Sequence, residues 1–282
     1  RKSHHMRSLS SLAGMLCLGA LASTSTAQDL AVAGRNGRAV SPSPATNDVA
    51  VAARATQPPV IDGRADDAIW ASAQVIDGFR VYDPAEDGEP RFRTEARVSY
   101  DERHLYVIVR AFDPHPDSVR ALLARRDERT ASDEIKVLID SYHDKRSGFQ
   151  FAVNPVGVKR DIAIFNDSDE DTSWDAVWDA AARVDSAGWV AEFRVPLSQL
   201  RYPRAETHTF GLAISREIAR YNERHSWPLY RRSKAGIASQ FGELTGITGI
   251  ASPRRLEVAP YTVARTANVP GGSPGYIMRS QG

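Results

Sequence analysis

The sequence predicts an all-β protein, an antiparallel β-sandwich of jelly-roll type, on three observations. Short runs alternate apolar and polar residues with a period of two. Gly, Pro, Asn and Asp bound nearly every run. At the centre of the chain, from Asp133 to Phe165, three such runs follow one another with short connections. Alternation of this kind places one face of a strand on a core and leaves the other to water. Three consecutive runs joined by tight turns make an antiparallel meander.

In that meander Ile135, Val137 and Ile139 alternate with Lys136 and Asp140. After a turn ending at Gly148, Phe149, Phe151 and Val153 oppose Gln150, Ala152 and Asn154. Pro155-Val156-Gly157 turns the chain, and Val158, Ile162 and Ile164 then oppose Lys159 and Asp161. The apolar set belongs to the core, so any function is expected on the polar face or in the loops.

The other elements read in chain order. Residues 28–59 are rich in Ala, Gly, Pro, Ser and Thr without periodicity, and are expected to be a flexible linker. Order is expected from Val60-Ile61-Asp62-Gly63. Asp66 to Ala73 predicts a short helix that sets Ile69 and Trp70 on the core. Ala96, Val98 and Tyr100 alternate, Asp101 to His104 turns, and Leu105 to Phe112 completes a hairpin stopped by Asp113-Pro114-His115-Pro116. Ser118 to Arg126 predicts another short helix. Beyond the acidic loop 166–171, the runs Trp174–Val184 and Trp189–Val195 flank a hairpin turn at Asp185 to Gly188. Strands through Phe210, Leu212 and Ile214 and from Phe241 to Ile247 bring the count to roughly eight to ten. The sandwich is therefore expected over 60–250. At 251–282 the texture changes: Leu256, Val258 and Tyr261 open a new strand, read as the truncated start of a C-terminal β-barrel.

Composition excludes some classes. The chain has 282 residues, is 42% hydrophobic and 25% charged, and carries a formal net charge of +1. Nothing here resembles the basic surplus of a nucleic-acid platform. Met6-Arg7, the apolar run Leu9–Leu21 and the small residues Ser25-Thr26-Ala27 describe a signal peptide over 6–27, cut before Gln28. The run is short of the about 20 residues a membrane span needs. Cys17, the single cysteine, would leave with it, so the mature chain has neither disulfide nor thiol nucleophile. Export to the periplasm or outer membrane is expected.

No phosphate-binding glycine loop, dinucleotide fingerprint or nucleophile elbow is present. His104, His115, His143, His208 and His225 lack the spacing of a shared zinc site and read as turn or surface residues. The loop Asp167-Ser168-Asp169-Glu170-Asp171 begins like an EF-hand. Thr172 then stands where Gly is needed and Trp178 where the bidentate Glu belongs, which rejects that reading. Trp174 and Trp178, four residues apart, share a face in either a strand or a helix. Flat indoles stack on the apolar faces of sugar rings while neighbouring Asp, Asn and Arg bond the hydroxyls. The alternative is plain core packing, the expected role of Trp70 and Trp189.

At this point an ordered set of short motifs becomes informative. Ile61-Asp62-Gly63 with Asp67 and Trp70, Leu105-Tyr106-Val107 before Asp113, Asp133-Glu134 before Ile139-Asp140, and Gly188-Trp189-Val190 with Glu192 and Val195-Pro196 follow in sequence. Over residues 60–250 the set resembles family 9 carbohydrate-binding modules. Phe151, Asn154-Pro155, Gly157, Asp161 and Trp174-Asp175 through Trp178 resemble the subgroup fused to an outer-membrane-type β-barrel of unknown function.

The resemblance implies a β-sandwich that binds oligo- or polysaccharide outside the cytoplasm, in association with polysaccharide breakdown. Family members hold a sugar between aromatic side chains and carry calcium. On that basis Trp174 or Trp178 forms a platform bordered by Asp175, Asn154 and Arg160, with Phe79 or Tyr82 as the opposing aromatic. Asp113, Asp133 and Asp140, at strand ends, are the candidate calcium ligands. Two other readings stand beside this one. One is a structural or gating domain of an outer-membrane barrel that binds no sugar. The other is a hydrolase of glycosidic bonds, which requires two carboxylates about 5–10 Å apart across a cleft; no such pair stands out in the sequence.

Overall fold

A computed structural model of the chain describes residues 48–251. The expected signal peptide and the expected barrel strand lie outside the described residues. Among these, fourteen strands and one short helix follow in the order β1 Val49–Val51, β2 Ala53–Arg54, α1 Ala68–Ser72, β3 Arg80–Asp83, β4 Thr94–Tyr100, β5 His104–Phe112, β6 Glu134–Asp140, β7 Gly148–Val153, β8 Lys159–Phe165, β9 Asp169–Asp171, β10 Asp179–Asp185, β11 Gly188–Pro196, β12 Thr207–Ile218, β13 Glu223–Trp227 and β14 Gly242–Thr248.

They form two sheets. The larger has nine strands in the order β1-β14-β12-β6-β7-β8-β9, with β13 joining β12 to β3. The smaller has five, β10-β11-β5-β4-β2. The meander is β6-β7-β8, antiparallel throughout. The apolar sets of its first two strands pack between the sheets: Ile135, Val137, Ile139, Phe151 and Val153 meet Val107, Val109, Trp189 and Phe193 in one core.

The smaller sheet is covered on its second face as well. Trp70, Tyr106, Ile108 and Val190 form a satellite cluster beneath the chain entering the domain. Burial on both faces accounts for the nearly continuous apolar run of β5. A buried carboxylate fastens this cover. Glu192 accepts hydrogen bonds from Asp62 N at 3.0 Å, Gly63 N at 2.8 Å and Trp70 Nε1 at 3.2 Å. Gly63 has φ +79, and a Cβ there would lie 2.9 Å from Arg183 Cβ, so only glycine lets the chain pass this close. Among the described residues the outer face of the larger sheet is covered only in part, by Tyr82 and the loop 228–241, and polar members of the alternation emerge there.

Six expectations are corrected. In β8 the faces are reversed: Ile162 sits beside Gln150 on the outer face, and Asp161 turns inward beside Phe151, where the Trp178 indole nitrogen satisfies it. His208 and His225, expected in turns or on the surface, are buried in strands. The linker expected over 28–59 contains β1 and β2, which extend one sheet each by parallel pairing; short strands with Ala-rich sequence carry too little alternation to be seen. Those two edge pairs make the sheets mixed rather than wholly antiparallel. The helix expected over Ser118–Arg126 is a single 3₁₀ turn at Pro116–Ser118 followed by irregular chain. The strand expected from Trp174 begins only at Asp179, because the segment 174–178 is held by side-chain bonds to Asp161 rather than by a ladder.

Candidate functional site

The open face of the larger sheet is organised by three cross-strand ladders. In the first, Ala213, Leu138, Gln150 and Ile162 are successive partners across β12, β6, β7 and β8. In the second, Ser226, Ser215, Lys136, Ala152 and Arg160 run from β13 to β8. In the third, Arg224, Glu217 and Glu134 are partners across β13, β12 and β6. Their side chains share one face because the ladders are two residues apart along each strand. At about 4.8 Å per strand the second ladder spans roughly 19 Å.

A cavity of about 210 Å³ opens on this face. Its floor is Lys136, Leu138, Gln150, Ala213, Ser215 and Ser226. Tyr82 and Tyr230 form one wall, their rings edge to face with centroids 5.5 Å apart. The other wall comes from the loop 228–241 after β13, through Ile237, Gln240 and Phe241. Phe241 seats close to the sheet: a Cβ on Gly148 or Gly211 would come within 3.3 or 3.4 Å of its side chain. Burial raises the Tyr82 phenol above its ordinary range, against a hydrogen bond with Ser215.

The loop is fastened from outside the cavity. Asp167 Oδ1 accepts Ile237 N at 3.1 Å and Ser239 N at 2.8 Å, and Oδ2 accepts the Ser239 hydroxyl at 2.8 Å. Gln240 closes the loop on itself, donating to Gly236 O at 2.8 Å and accepting from Arg231 N at 2.9 Å. One polar group in the floor is left over. Gln150 is 6% exposed, and its Nε2 has no hydrogen-bond partner. An unmade bond on a buried amide costs about 1–3 kcal/mol, which singles this group out for an explanation. Aromatic walls around an amide, an ammonium and two hydroxyls suit a compact ligand with apolar faces and hydroxyl edges.

The structure distributes the residues singled out from the sequence differently from the expectation. Trp174 and Trp178 do share a face, but it is the core face: their rings lie 5.9 and 5.2 Å from Phe151. Trp178 is 2% exposed, stacks on Phe193 and donates Nε1 to Asp161 Oδ1 at 3.1 Å. It has no face for a ligand. Trp174 is half-buried with its ring 4.8 Å from Phe149. Asp175 is exposed and pairs with Arg126 Nη2 at 2.6 Å. Asn154 is buried in its own turn, accepting Val156 N and Val158 N and donating to Leu122 O. Phe79 is 3% exposed in the core. Arg160 is on the open face, held by Glu134. Tyr82 alone of the set lines the cavity.

The three carboxylates considered for calcium do not converge. Asp133 and Asp140 sit at opposite ends of β6, roughly 23 Å apart at about 3.3 Å per residue. No group of three or more His, Cys, Asp or Glu able to hold a metal occurs among the described residues. Arginines lie beside two of the three. Arg220 Nη2 donates to Asp113 Oδ1 at 2.7 Å. Asp133, raised by burial, accepts Ala219 N at 3.1 Å and feels Arg216 and Arg220 nearby. Arg216 is fully buried, lowered to about 10 by burial, and donates to Arg93 O, Thr94 Oγ1 and Phe112 O. Asp140, also raised by burial, accepts Lys145 N at 2.8 Å in its turn.

Tyr230, Ser215, Ser226 and Gln240 escaped the sequence reading. The alternation placed Lys136 and Gln150 on the polar face without marking them as functional. Tyr230 lies in an aperiodic stretch, after Pro228-Leu229 and before Arg231-Arg232, where nothing in the sequence distinguishes it.

Comparison with known proteins follows the fold. Residues 61–244 match the family described as carbohydrate family 9 binding domain-like. No curated protein matches the chain. Among solved structures, a family 9 carbohydrate binding module from Caldicellulosiruptor kristjanssonii in complex with cellotriose is similar, with a TM-score of 0.50 and 16% identity over 75% of this chain and 100% of that one. The module from that organism in complex with glucose gives a TM-score of 0.50 and 16% identity over 73% and 100%. A candidate carbohydrate-binding protein from Bacteroides uniformis gives 0.53 and 14% over 70% and 98%.

Proposed function

This chain belongs to the carbohydrate family 9 binding domain-like family, and from that premise we propose that it binds a glycan in the cavity between Tyr82, Tyr230 and Phe241. The observation that carries the reading is the buried, unpartnered Nε2 of Gln150 in a floor walled by aromatic rings. A sugar ring laid against Tyr230 or Tyr82 would bring its hydroxyls to Gln150, Ser215 and Lys136. The likeness to modules solved with cellotriose and with glucose supports the same ligand class.

Titration calorimetry of the protein with glucose, cello-oligosaccharides and xylo-oligosaccharides tests this. Binding is expected, and Gln150→Ala or Tyr230→Ala should weaken it by about 5- to 100-fold, the worth of one lost polar or stacking partner. Unchanged affinity in both variants would remove the cavity from consideration.

We further propose that the protein is exported and serves polysaccharide breakdown, its sandwich joined to an outer-membrane barrel. The basic start at Met6-Arg7, the run Leu9–Leu21 and the strand-like residues from Leu256 support this reading. Within it, a structural or gating domain without sugar binding is favoured by one observation, the uptake of Trp178 into the core. A folded protein that binds no glycan in the titration would establish that alternative. For the charge of Asp113 and Asp133 we propose that Arg216 and Arg220 serve in place of calcium.

A further inference from the structure

The open face beside the cavity carries more positive charge than its own carboxylates balance. Glu134 takes Arg160 through two hydrogen bonds of 2.9 Å and also Lys136, whose Nζ is 3.3 Å away. Asp83, which follows Tyr82, takes Arg224 at 3.1 Å and also Arg232. Glu217 shares Arg224 at 3.5 Å and takes Arg129 at 3.6 Å. Each carboxylate in this group thus faces two cations. The chain as a whole carries only +1, so the surplus comes from placement and not from composition.

Lys136 brings that surplus into the cavity. It is a floor residue, its side chain is 17% exposed, and both oxygens of its partner are already engaged by Arg160. An ammonium with a shared counterion beside aromatic walls is poised to pair with an incoming anion, because the walls keep water and its screening away. One further cation, Lys234, lies across the loop 228–241. A second cavity of about 290 Å³ shares Pro228, Gln240 and Phe241 with the first; it is lined in part by Lys234, by Asp48 and by Arg231, which pairs with Glu86 and Asp87. Among the described residues Lys234 enters no ion pair.

Resting on the glycan-binding reading above, we propose that the ligand is an acidic glycan, one whose sugar rings carry carboxylates as uronic acids do. A ring carboxylate meets Lys136 while the apolar ring face lies on a tyrosine. The rim arginines and Lys234 attract the rest of the chain.

The test is titration of the full chain with an oligouronide and with a neutral cello-oligosaccharide and xylo-oligosaccharide of equal length, at about 20 mM and about 300 mM salt. The uronide is expected to bind about 10-fold more tightly than the neutral sugars at low salt and to lose most of that margin at high salt. Lys136→Gln should shrink the margin, and Arg232→Gln, at a half-exposed position that leaves the fold intact, should shrink it in part. Equal affinity for acidic and neutral sugars overturns the proposal and leaves glycan binding in place. A sulfated oligosaccharide of equal charge that outcompetes the uronide overturns the carboxylate assignment. Failure of every sugar to bind the folded protein overturns both readings.

Discussion

Asp167 and Ser239 are joined by two hydrogen bonds of 2.8 Å, one to the backbone nitrogen and one to the hydroxyl. They lie 72 residues apart, and the pairing ties the turn between β8 and β9 to the loop that forms one wall of the cavity. Gly236, at φ +88, lets the loop reach the carboxylate: a Cβ there would stand 2.0 Å from Asp167 Oδ2. Asp167, in the acidic loop whose EF-hand reading the sequence rejects, therefore latches the loop 228–241.

Asp167→Ala should loosen that wall without disturbing the core. The loop's Ile237 and Ser239 nitrogens would turn to water, and the ordering of Tyr230 and Gln240 would fall to the ligand. Glycan affinity is expected to drop by about 5- to 10-fold, with a small change in Tm and faster proteolytic cleavage within 228–241. Equal cleavage rates in variant and parent would show that the loop is held by other contacts.

Trp178 belongs to the stability of the sandwich. Its indole is stacked on Phe193 with centroids 5.9 Å apart, and its nitrogen satisfies Asp161, which also receives Ala176 N at 2.6 Å. Trp178→Ala is expected to cost about 3–5 kcal/mol, read as a fall in the denaturation midpoint. Trp178→Phe should recover part of that loss and bind sugar as the parent does. A Trp178→Phe protein of normal stability that no longer bound glycan would return this residue to the site.

The contrast between Trp178 and Gln150 shows what the sequence could convey. Strand positions were legible because burial of one face imposes a two-residue period on β4, β6 and β7, and the resemblance was legible because Gly63 and Trp70 meet around the Glu192 carboxylate. The cavity was not. Its residues come from five strands and one loop, from Tyr82 to Phe241. A polar residue on an open face reads the same whether it faces water or a ligand. For Trp178 the sequence left platform and core packing both open, because its partner Asp161 lies 17 residues away on another element. Likewise β1 and β2 were missed because three and two residues are too few to show a period.

The arginines at the end of the core supply another prediction. Asp113 and Asp133 are buried, and Arg216 and Arg220 provide the compensating charge. Arg216→Met would leave buried carboxylates beside an apolar side chain and is expected to cost about 3–5 kcal/mol. Thermal unfolding of the parent should give one Tm in excess calcium and in a chelator. A clear rise with calcium would mean that carboxylates other than these hold the ion.

Glu192 gives stability a pH dependence of definite sign. Burial pushes its carboxyl from 4.5 up to about 7, against the pull of three hydrogen bonds, with Asp67 adding to the rise. The folded state therefore holds a proton more tightly than the unfolded state. The contribution is complete below pH 4.5 and is lost as pH rises through 7. Over that window it amounts to a few kcal/mol at most, since a tenfold difference in proton affinity is worth about 1.4 kcal/mol. His208 and His225, both lowered by burial, act in the opposite sense over the upper part of the same range, so the parent curve alone is not diagnostic. The difference between parent and Glu192→Gln is. Glutamine is fixed in the uncharged form and keeps an acceptor for the Gly63 and Asp62 nitrogens. Chemical denaturation from pH 4.5 to 7.5 should show the parent losing stability relative to the variant as pH rises. Parallel curves would mean that the three donors hold Glu192 ionised throughout, with the cover over the smaller sheet fastened by a charge.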